Sequence, residues 1–308
     1  MVERNLSERY RLEHRIGQGG MAVVYSGVDT VLRRRVAIKV LREHLAADVD
    51  FVQRFYIEAQ HAAKLSHPNI VNIYDVGREG ENYFIVMELV DGTTLGEMIE
   101  KDGALPEPVA IDFAAQICSG LAYAHRQGLM HRDVKPANIL ITKDDVVKIS
   151  DFGIARGERA TRVTEPPPPP RPSVQMRASR PTIREAAPLT LTGVVMGTPL
   201  YMAPETIDGA REATPAVDLF AVGVIAYELL TGRAPFRDSP AFAQLEGVSV
   251  APPPPLATLR DDIPWDIAQV VERCLAFAAE ERPTAREVLA VLSGTGPSRT
   301  LVAAASPL

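Results

Sequence analysis

The segment His131–Asn138 concentrates the residue types that phosphoryl transfer requires. It reads HRDVKPAN and carries Asp133, Lys135 and Asn138 at short offsets. Phosphoryl transfer needs a carboxylate that orients the attacking hydroxyl, oxygen ligands for a metal ion, and positive charge on the phosphates. Asp133 suits the first role, Asn138 the second and Lys135 the third. We therefore predict a phosphoryl-transfer site with Asp133 as its catalytic base.

A second carboxylate, Asp151, supplies the remaining metal ligand in this interpretation. It follows a strand predicted at Val147–Ile149 and opens the triplet Asp151–Gly153. Magnesium prefers oxygen ligands and shares them with bound phosphate groups. We predict Asp151 as the main magnesium ligand and Asn138 as the second. Any one of these short motifs could occur by chance, but their order and structural context together are specific.

The glycine-rich turn Gly17–Ala22 is the candidate phosphate-binding loop. Glycine lets backbone N–H groups approach phosphate oxygens with no side chain in the way. The pattern also fits a dinucleotide-binding fold, but that fold requires a helix directly after the turn. The β-forming residues Val23–Tyr25 follow instead, which favours a strand–turn–strand hairpin; without the other motifs a plain hairpin turn would be plausible. The residues predicted to contact a nucleotide here are Ile16, Gly17, Gln18, Gly19, Gly20, Met21, Ala22, Val23 and Val24.

Lys39 lies in an apolar strand, Val36–Val40, where an ammonium group needs a function. An outward-facing lysine on an edge strand is the simpler alternative. Against it, the helix predicted from Asp50 to Ser66 places Glu58 on its apolar stripe, in step with Phe51, Phe55, Ala62 and Leu65. A buried carboxylate is costly unless it is paired. We predict that Glu58 pairs with Lys39 and holds the ammonium against the phosphates.

These groups must be positioned by two kinds of structure. Residues 10–90 are rich in β-forming patterns, whereas after Asp91 and Gly92 the apolar residues recur at helical spacing. The apolar run Leu219–Leu230 is too short to span a bilayer and predicts a buried helix. Two segments break the pattern: the proline- and arginine-rich residues 166–188, expected to be extended or disordered, and the rigid connection Pro252–Pro255.

The composition excludes some functions and favours others. The chain has 308 residues and a net charge of −6, which argues mildly against nucleic acid as a partner. Its two cysteines, Cys118 and Cys274, match no metal spacing and predict reduced, buried thiols in a cytoplasmic protein. The N-terminus has no apolar signal-peptide core, and we expect no membrane segment in this chain.

Taken together, these motifs resemble the Hanks-type (eukaryotic-like) protein kinases, and most of all the bacterial PknB-like branch. The resemblance covers about residues 10–292 and includes VAIK at 36–39, DFG at 151–153, GTPLYMAPE at 197–205 and DLFAVG at 218–223. It implies an α+β, bilobal protein kinase fold. A β-rich N-terminal lobe (10–90) with one key helix would join a mainly α-helical C-terminal lobe (91–292), and residues 293–308 would form a flexible tail.

The resemblance also implies residue roles. ATP would be the nucleotide, with Mg²⁺ or Mn²⁺, and serine and threonine hydroxyls of proteins the acceptors. Met87 would be the gatekeeper and Glu88–Val90 the adenine hinge. The catalytic set would be Asp133, Lys135, Lys39 and Glu58, and the adenine pocket would add Ala37, Lys39, Met87, Glu88, Val90 and Leu140. Glu205 would pair with Arg282, Asp218 would hold the catalytic-loop backbone, and Thr198 would contact Asp133 and Lys135. Ala22 departs from the third glycine of the loop pattern, a modest change.

The segment from Asp151 to Glu205 is longer than in the resembling kinases, and residues 166–188 account for the excess. The insertion is either a tolerated loop or a docking segment for a polyproline-binding partner. By the resemblance, Arg132 marks control by phosphorylation, and Thr190 and Thr192 are the expected autophosphorylation sites, modified within a homodimer. A pseudokinase scaffold is the competing function, and the chain could also be the kinase part of a larger receptor.

Overall fold

The computed structural model describes residues 5–152, 199–206 and 214–294, apart from the side chains of Asp50, Arg54, Glu58 and Pro199. Within these residues, a β-sheet lobe is followed by a helical lobe, as the resemblance implied. The strands are β1 (Asn5–Leu6), β2 (Tyr10–Gln18), β3 (Ala22–Asp29), β4 (Arg34–Leu41), β5 (Ile73–Glu79), β6 (Asn82–Glu88), β7 (Gly92–Thr94), β8 (Ile139–Thr142) and β9 (Val147–Ile149).

Strands β1 to β6 form one antiparallel sheet in the order β1-β2-β3-β4-β6-β5. Its central strand β4 is almost entirely buried because the sheet is covered on both sides. Val36, Ile38 and Phe84 pack in one apolar cluster, whereas Leu41 and Ile85 pack against the helix side. Lys39 therefore lies in the interior of the lobe, and the edge-strand alternative is excluded.

Two helices interrupt the sheet, α1 (Glu43–Ala46) and α2 (Val49–Ala62). The Asp48 carboxylate caps α2 by accepting a hydrogen bond from the Phe51 N–H at 3.0 Å. The helix ends four residues before the predicted Ser66, because the chain tightens into turns in which the Leu65 N–H bonds to the Ala62 carbonyl. Leu65 is nevertheless buried, so the predicted apolar stripe continues past the end of the helix.

A small sheet, β7-β8-β9, lies between the two lobes and carries the candidate site. Gly92 is required in it: a Cβ at this position would lie 1.8 Å from the Ile141 carbonyl oxygen. Strand β8 follows Asn138 directly and β9 precedes Asp151, so a single hairpin positions both predicted metal ligands.

The helical lobe forms the largest apolar core. Its helices are α3 (Leu95–Asp102), α4 (Glu107–Arg126), α5 (Ala216–Thr231), α6 (Pro240–Glu246), α7 (Leu256–Leu259), α8 (Trp265–Cys274) and α9 (Ala285–Leu292). Helix α5 is the predicted buried helix and is apolar all round. Among the described residues, no helix is long and apolar enough to cross a membrane. Cys118 and Cys274 are free and buried, as predicted.

Candidate active site

The catalytic-loop residues predicted from the sequence converge on the Asp133 carboxylate. Lys135 Nζ lies 2.6 Å from Asp133 Oδ2, and the Asn138 side-chain amide donates to the same oxygen at 3.1 Å and to the Asp133 carbonyl at 2.8 Å. All three side chains come from one irregular loop that a single 3-10 turn, Pro136–Asn138, joins to β8. The loop thus brings a carboxylate, an ammonium and an amide together, as the spacing predicted.

Asp218, at the start of α5, fixes the backbone of this loop by hydrogen bonds. Its carboxylate accepts hydrogen bonds from the backbone N–H groups of His131 at 2.9 Å and Arg132 at 2.7 Å, and His125 Nε2 lies 2.8 Å from it. Arg132 has a φ of 64°, a left-handed conformation that costs energy in a residue other than glycine. Asp218 supplies the compensating contact at the residue immediately before Asp133.

Burial alone would raise the pKa of Asp218, which is 1% exposed. The hydrogen bond from His125 and the neighbouring His131 outweigh this effect, and the pKa lies below its ordinary value. Asp218 therefore remains an anion at neutral pH, and a carboxylate with two lone pairs per oxygen is the acceptor that two adjacent backbone donors require.

The opposite wall of the site consists of Lys39 and Asp151. Lys39 Nζ lies 2.6 Å from Asp151 Oδ1, across a separation of 112 residues in the sequence. Burial favours the neutral acid, but the charge and hydrogen bond of Lys39, with His131 and Lys135 nearby, outweigh it and lower the pKa of Asp151. The Asp151 side chain is 33% exposed and faces the cleft, and its φ is 62°.

Glu58 is the predicted partner of Lys39, whereas the partner that the structure describes is Asp151. Glu58 lies within α2, but its side chain is outside the described residues, so the Lys39–Glu58 pair stays a prediction. Lys39 itself is buried, 7% exposed, and its ammonium is engaged by Asp151. The sequence pattern predicted a carboxylate partner for Lys39, but not Asp151.

The glycine-rich segment is a β-hairpin, as the residues after it predicted. Strand β2 ends at Gln18 and β3 begins at Ala22, and the Gly19 N–H bonds to the Ala22 carbonyl at 2.9 Å to close the turn. Its strands pair Gly17 with Val24 and Gln18 with Val23. The helix that a dinucleotide-binding fold requires after the turn is not there. Gly20 and Met21 form the tip.

The residues predicted to contact adenine lie on β4, β6 and β8 and in the segment between the lobes, and their contact with a nucleotide stays a prediction. Ala37 pairs with Met87 across β4 and β6, and Leu140 is the half-buried residue of β8 between two fully buried neighbours. Ile16 is 47% exposed at the mouth. Met87, Lys39 and Asp151 also line a small cavity behind the cleft, closed by Ile85, Ile149 and Phe152 among others. Val90 lies in the segment that connects the lobes.

The hinge carries an ion pair that sequence reasoning missed. Lys148 Nζ, on β9, lies 2.7 Å from Glu88 Oε1, and the Asn72 backbone and side-chain N–H groups donate to Glu88 Oε2 at 3.2 and 3.0 Å. Both charged side chains are mostly buried. The only sequence signal was a lysine in the middle of the apolar strand Val147–Ile149, the same signal that drew attention to Lys39.

A buried guanidinium, that of Arg282, anchors the segment 199–206. Arg282 donates to both oxygens of Glu205, at 2.7 and 2.9 Å, and to the carbonyls of Ala216, Ala276 and Phe277. Its side chain is fully buried and lies 5.0 Å from the Phe220 ring centroid. The Glu205–Arg282 pair was predicted from the resemblance. Thr284 and Glu287 form a capping box at the start of α9.

Several predictions concern residues that the structure does not describe. These are the Gly153 member of the triplet, the insertion 166–188, Thr190 and Thr192, Gly197 and Thr198, and the tail from 295 onward. The proposed contact of Thr198 with Asp133 and Lys135, and the phosphorylation sites, therefore lie outside the described residues.

Comparisons with known proteins agree with this geometry. A family model described as the protein kinase domain matches residues 10–291. The chain is 38% identical to the serine/threonine-protein kinase PknA of Mycobacterium tuberculosis, over 96% of this chain and 64% of PknA. It is 41% identical to the serine/threonine-protein kinase PrkC of Bacillus subtilis, over 77% of this chain and 32% of PrkC.

Among solved structures, the PknI kinase domain of Mycobacterium tuberculosis matches with a TM-score of 0.68 and 26% identity, over 96% of this chain and all of that one. The chain spans 64% of PknA and 32% of PrkC, so it corresponds to part of these curated relatives. The motifs, the fold and the sequence similarity lead to one conclusion. The chain belongs to the protein kinase domain family, and its curated relatives include bacterial serine/threonine-protein kinases.

Proposed function

We propose that this protein transfers the γ-phosphoryl group of ATP to serine and threonine hydroxyls of proteins. The observation that carries the proposal is the convergence of Lys135 and Asn138 on the Asp133 carboxylate, on a loop that Asp218 holds in place. A carboxylate fixed in this way can accept the hydrogen bond of an incoming hydroxyl and orient its oxygen for in-line attack. Serine/threonine kinases among its relatives support the same reaction class.

In this proposal each residue of the site has a separate role. Asp133 orients the attacking hydroxyl and accepts its proton as the bond to phosphorus forms. Lys135, which is only 26% exposed, lies beside Asp133 and neutralises charge on the transferred group. Lys39 binds the phosphates of the bound nucleotide. The Gly17–Ala22 loop offers backbone N–H groups to the same phosphates.

The donor set beside Asp133 fits magnesium. The Asp151 carboxylate is anionic, since its pKa is lowered, and is partly exposed to the cleft. The Asn138 amide nitrogen is engaged by Asp133, so that its carbonyl oxygen remains for a ligand. Carboxylate and carbonyl oxygens are the ligands that magnesium prefers, and Mn²⁺ accepts the same set. When bound with ATP, the metal supplies charge neutralisation at the β- and γ-phosphates.

The test is incubation with γ-labelled ATP, magnesium and a mixture of serine- and threonine-containing proteins. The parent chain should incorporate label, and Asp133→Asn should abolish it while retaining the parent Tm within about 2 °C, because the substitution is nearly isosteric. A matched control, Asp102→Asn, removes an exposed carboxylate at the end of α3 and should behave as the parent. Equal label in the parent and in Asp133→Asn refutes the proposal and favours a scaffold.

Autophosphorylation on Thr190 and Thr192, in a homodimer, is a second part of the proposal and rests on the resemblance. Mixing the active chain with an epitope-tagged Asp133→Asn chain tests it directly. Label on the inactive chain, mapped by mass spectrometry to these two threonines, supports transfer between copies. Unmodified threonines in the active protein refute this part and leave the kinase proposal standing.

A polyproline-binding partner for residues 166–188 is proposed from composition alone. Deleting these residues should leave phosphorylation of a generic substrate unchanged. If the segment docks a partner, the deletion should also abolish binding of an SH3-type aromatic groove protein to the full chain. If both chains bind such a protein equally, or neither binds one, the insertion is only a tolerated loop.

A further inference from the structure

The tip of the glycine-rich hairpin is bonded from outside the hairpin by Arg42. Arg42 lies just after β4, between Leu41 and helix α1. Its side-chain Nε donates to the Gly19 carbonyl at 3.0 Å, and its backbone N–H donates to the Met21 carbonyl at 3.0 Å. Its own carbonyl accepts from Leu45 and Ala46 at the start of α1. One residue therefore joins the loop tip to the β4–α1 junction.

The Gly19 carbonyl matters because of the donor on the other side of the same peptide group. A trans peptide is planar, so the Gly19 C=O and the Gly20 N–H point in opposite directions. Whatever fixes the carbonyl also fixes where the N–H points. N–H groups in this loop are the donors that a phosphate would accept from. The Arg42 side chain thus orients a candidate phosphate ligand without touching the phosphate.

The local backbone restricts the rotation of this peptide only weakly. It lies between two glycines, the residues with the widest choice of φ and ψ, and neither has a side chain that packs against the sheet. A Cβ on Gly19 would meet nothing closer than the Ala22 carbonyl at 3.8 Å, so the turn itself is not sterically confined. Met21 is the neighbouring anchor: its side chain packs against the apolar cluster of Leu41 and Val52.

We propose that Arg42 is a positioning residue of the phosphate-binding loop, which it holds, through the Gly19 carbonyl, in the conformation that receives the nucleotide phosphates. This inference rests on the proposed ATP-dependent function. Its closest competitor is a direct role in which the guanidinium charge contacts the phosphates. The two differ in what they require of the side chain, a hydrogen-bond donor at Nε or a positive charge.

Two substitutions separate these requirements. In Arg42→Gln the side-chain nitrogen takes the place of Nε, so the donor is kept and the charge is lost. In Arg42→Met a methyl group takes the same place, so both are lost. Arg11→Met is the matched control, because Arg11 lies on β2, far along the strand from the tip. Arg42 is half-exposed, so each variant should fold with a Tm within about 2 °C of the parent.

The experiment measures binding of Mg·ADP and of adenosine to the full chain by titration calorimetry, together with KM for ATP. Loss of one hydrogen bond corresponds to about a three- to tenfold weaker affinity. We expect that loss for Mg·ADP in Arg42→Met, with the same rise in KM for ATP and no change in KM for the protein substrate. Adenosine, which has no phosphate, should bind Arg42→Met and the parent equally. Arg42→Gln should stay within about twofold of the parent for every ligand.

Three results overturn the proposal. Parent-like Mg·ADP binding by Arg42→Met means that the contact does not position the loop. An equal loss for adenosine means that Arg42 supports the lobe in general. An Arg42→Gln variant as weak as Arg42→Met means that charge is what matters. Should Arg42→Met not fold, Arg42→Ala carries the same comparison. A parent chain that binds Mg·ADP but transfers no phosphate refutes the proposed function and leaves this test intact.

Discussion

Replacing Asp218 with asparagine should damage both the stability and the chemistry of this protein. The carboxylate accepts hydrogen bonds from two adjacent backbone N–H groups, of His131 and Arg132, in a site that is 1% exposed. Asparagine keeps one oxygen and replaces the other with an NH₂ group, which is a donor. One backbone N–H would then face another donor, with no water to satisfy it.

The size of the effect follows from these contacts. A hydrogen bond to a charged acceptor contributes about 1.5–3 kcal/mol, and a buried donor without a partner costs about 1–3 kcal/mol. The contact with His125 can survive, because His125 and the His131 N–H share one Asp218 oxygen and asparagine keeps one oxygen. We therefore expect a loss of about 2–4 kcal/mol, which lowers Tm by about 4–16 °C for a domain of this size.

The catalytic effect should be larger than the stability effect suggests. Without the Asp218 acceptor, the left-handed backbone conformation of Arg132 loses a stabilising hydrogen bond. Asp133 is the next residue, so its carboxylate should shift with that backbone. A displacement of about 1 Å in a catalytic group can cost about 10²-fold in kcat. KM for ATP should change little, since Asp218 contacts the loop that carries the base and not the glycine-rich hairpin.

The assay is steady-state phosphorylation with variable ATP, combined with thermal unfolding, for the parent, Asp218→Asn and the exposed control Asp102→Asn. A kcat within about threefold of the parent, measured below the Tm of both proteins, would refute the positional argument. Lost stability with unchanged kcat would mean that Asp218 only supports the fold. The pKa direction adds a check: the folded pKa is depressed, so the contribution of Asp218 is full above about pH 4 and falls as pH drops below that.

Three further predictions concern stability. Arg282→Met should cost about 3 kcal/mol, because it orphans three backbone carbonyls and the Glu205 carboxylate; a Tm within about 2 °C of the parent in calorimetry would contradict this. Gly92→Ala should lower Tm because its Cβ would overlap a β8 carbonyl, whereas Gly96→Ala should not, because its Cβ would make only ordinary van der Waals contacts, the nearest at 3.6 Å from Pro136. The Arg9 hydrogen bond lowers the pKa of Asp29 to about 2, so in urea unfolding the stability difference between the parent and Asp29→Asn should shrink from pH 5 to pH 3; a difference that grows would refute it.

The parts of the site that lie close together in sequence were predictable from the sequence. Asp133, Lys135 and Asn138 fall in one short loop, so their residue types and spacing alone indicate that they meet. The hairpin was predictable for a similar local reason, since the β-forming residues after the turn leave no room for a helix. Asp218 and Arg282 were expected only through the resemblance, because nothing in their local pattern identifies their partners.

The contacts between distant segments could not be predicted, for a physical reason. A pattern of burial says that a charged side chain in an apolar element needs a partner, but not which one. Lys39 has a flexible four-carbon stem, so more than one carboxylate could be its partner. The sequence pattern favoured Glu58 on α2, whereas the contact that the structure describes is with Asp151. Lys148 in β9 gave the same signal and received no prediction, although Glu88 meets it at the hinge. Only the register of the strands decides these pairs.

In the irregular segments around the site, side chains bond to backbone groups. Replacing such a charged side chain with an uncharged amide has a different effect at Asp218 and at Arg42. A loop has no ladder of backbone partners, so its buried backbone groups need side chains. The backbone N–H groups of His131 and Arg132 bond to the buried Asp218 carboxylate, and at the exposed hairpin tip the Gly19 carbonyl accepts from the Arg42 guanidinium. Removing charge with an amide therefore has opposite consequences. In Asp218→Asn the side-chain NH₂ faces a backbone N–H, so two donors meet and the catalytic loop should be disrupted. In Arg42→Gln the side-chain NH₂ still donates to the Gly19 carbonyl, so the hairpin tip should be preserved.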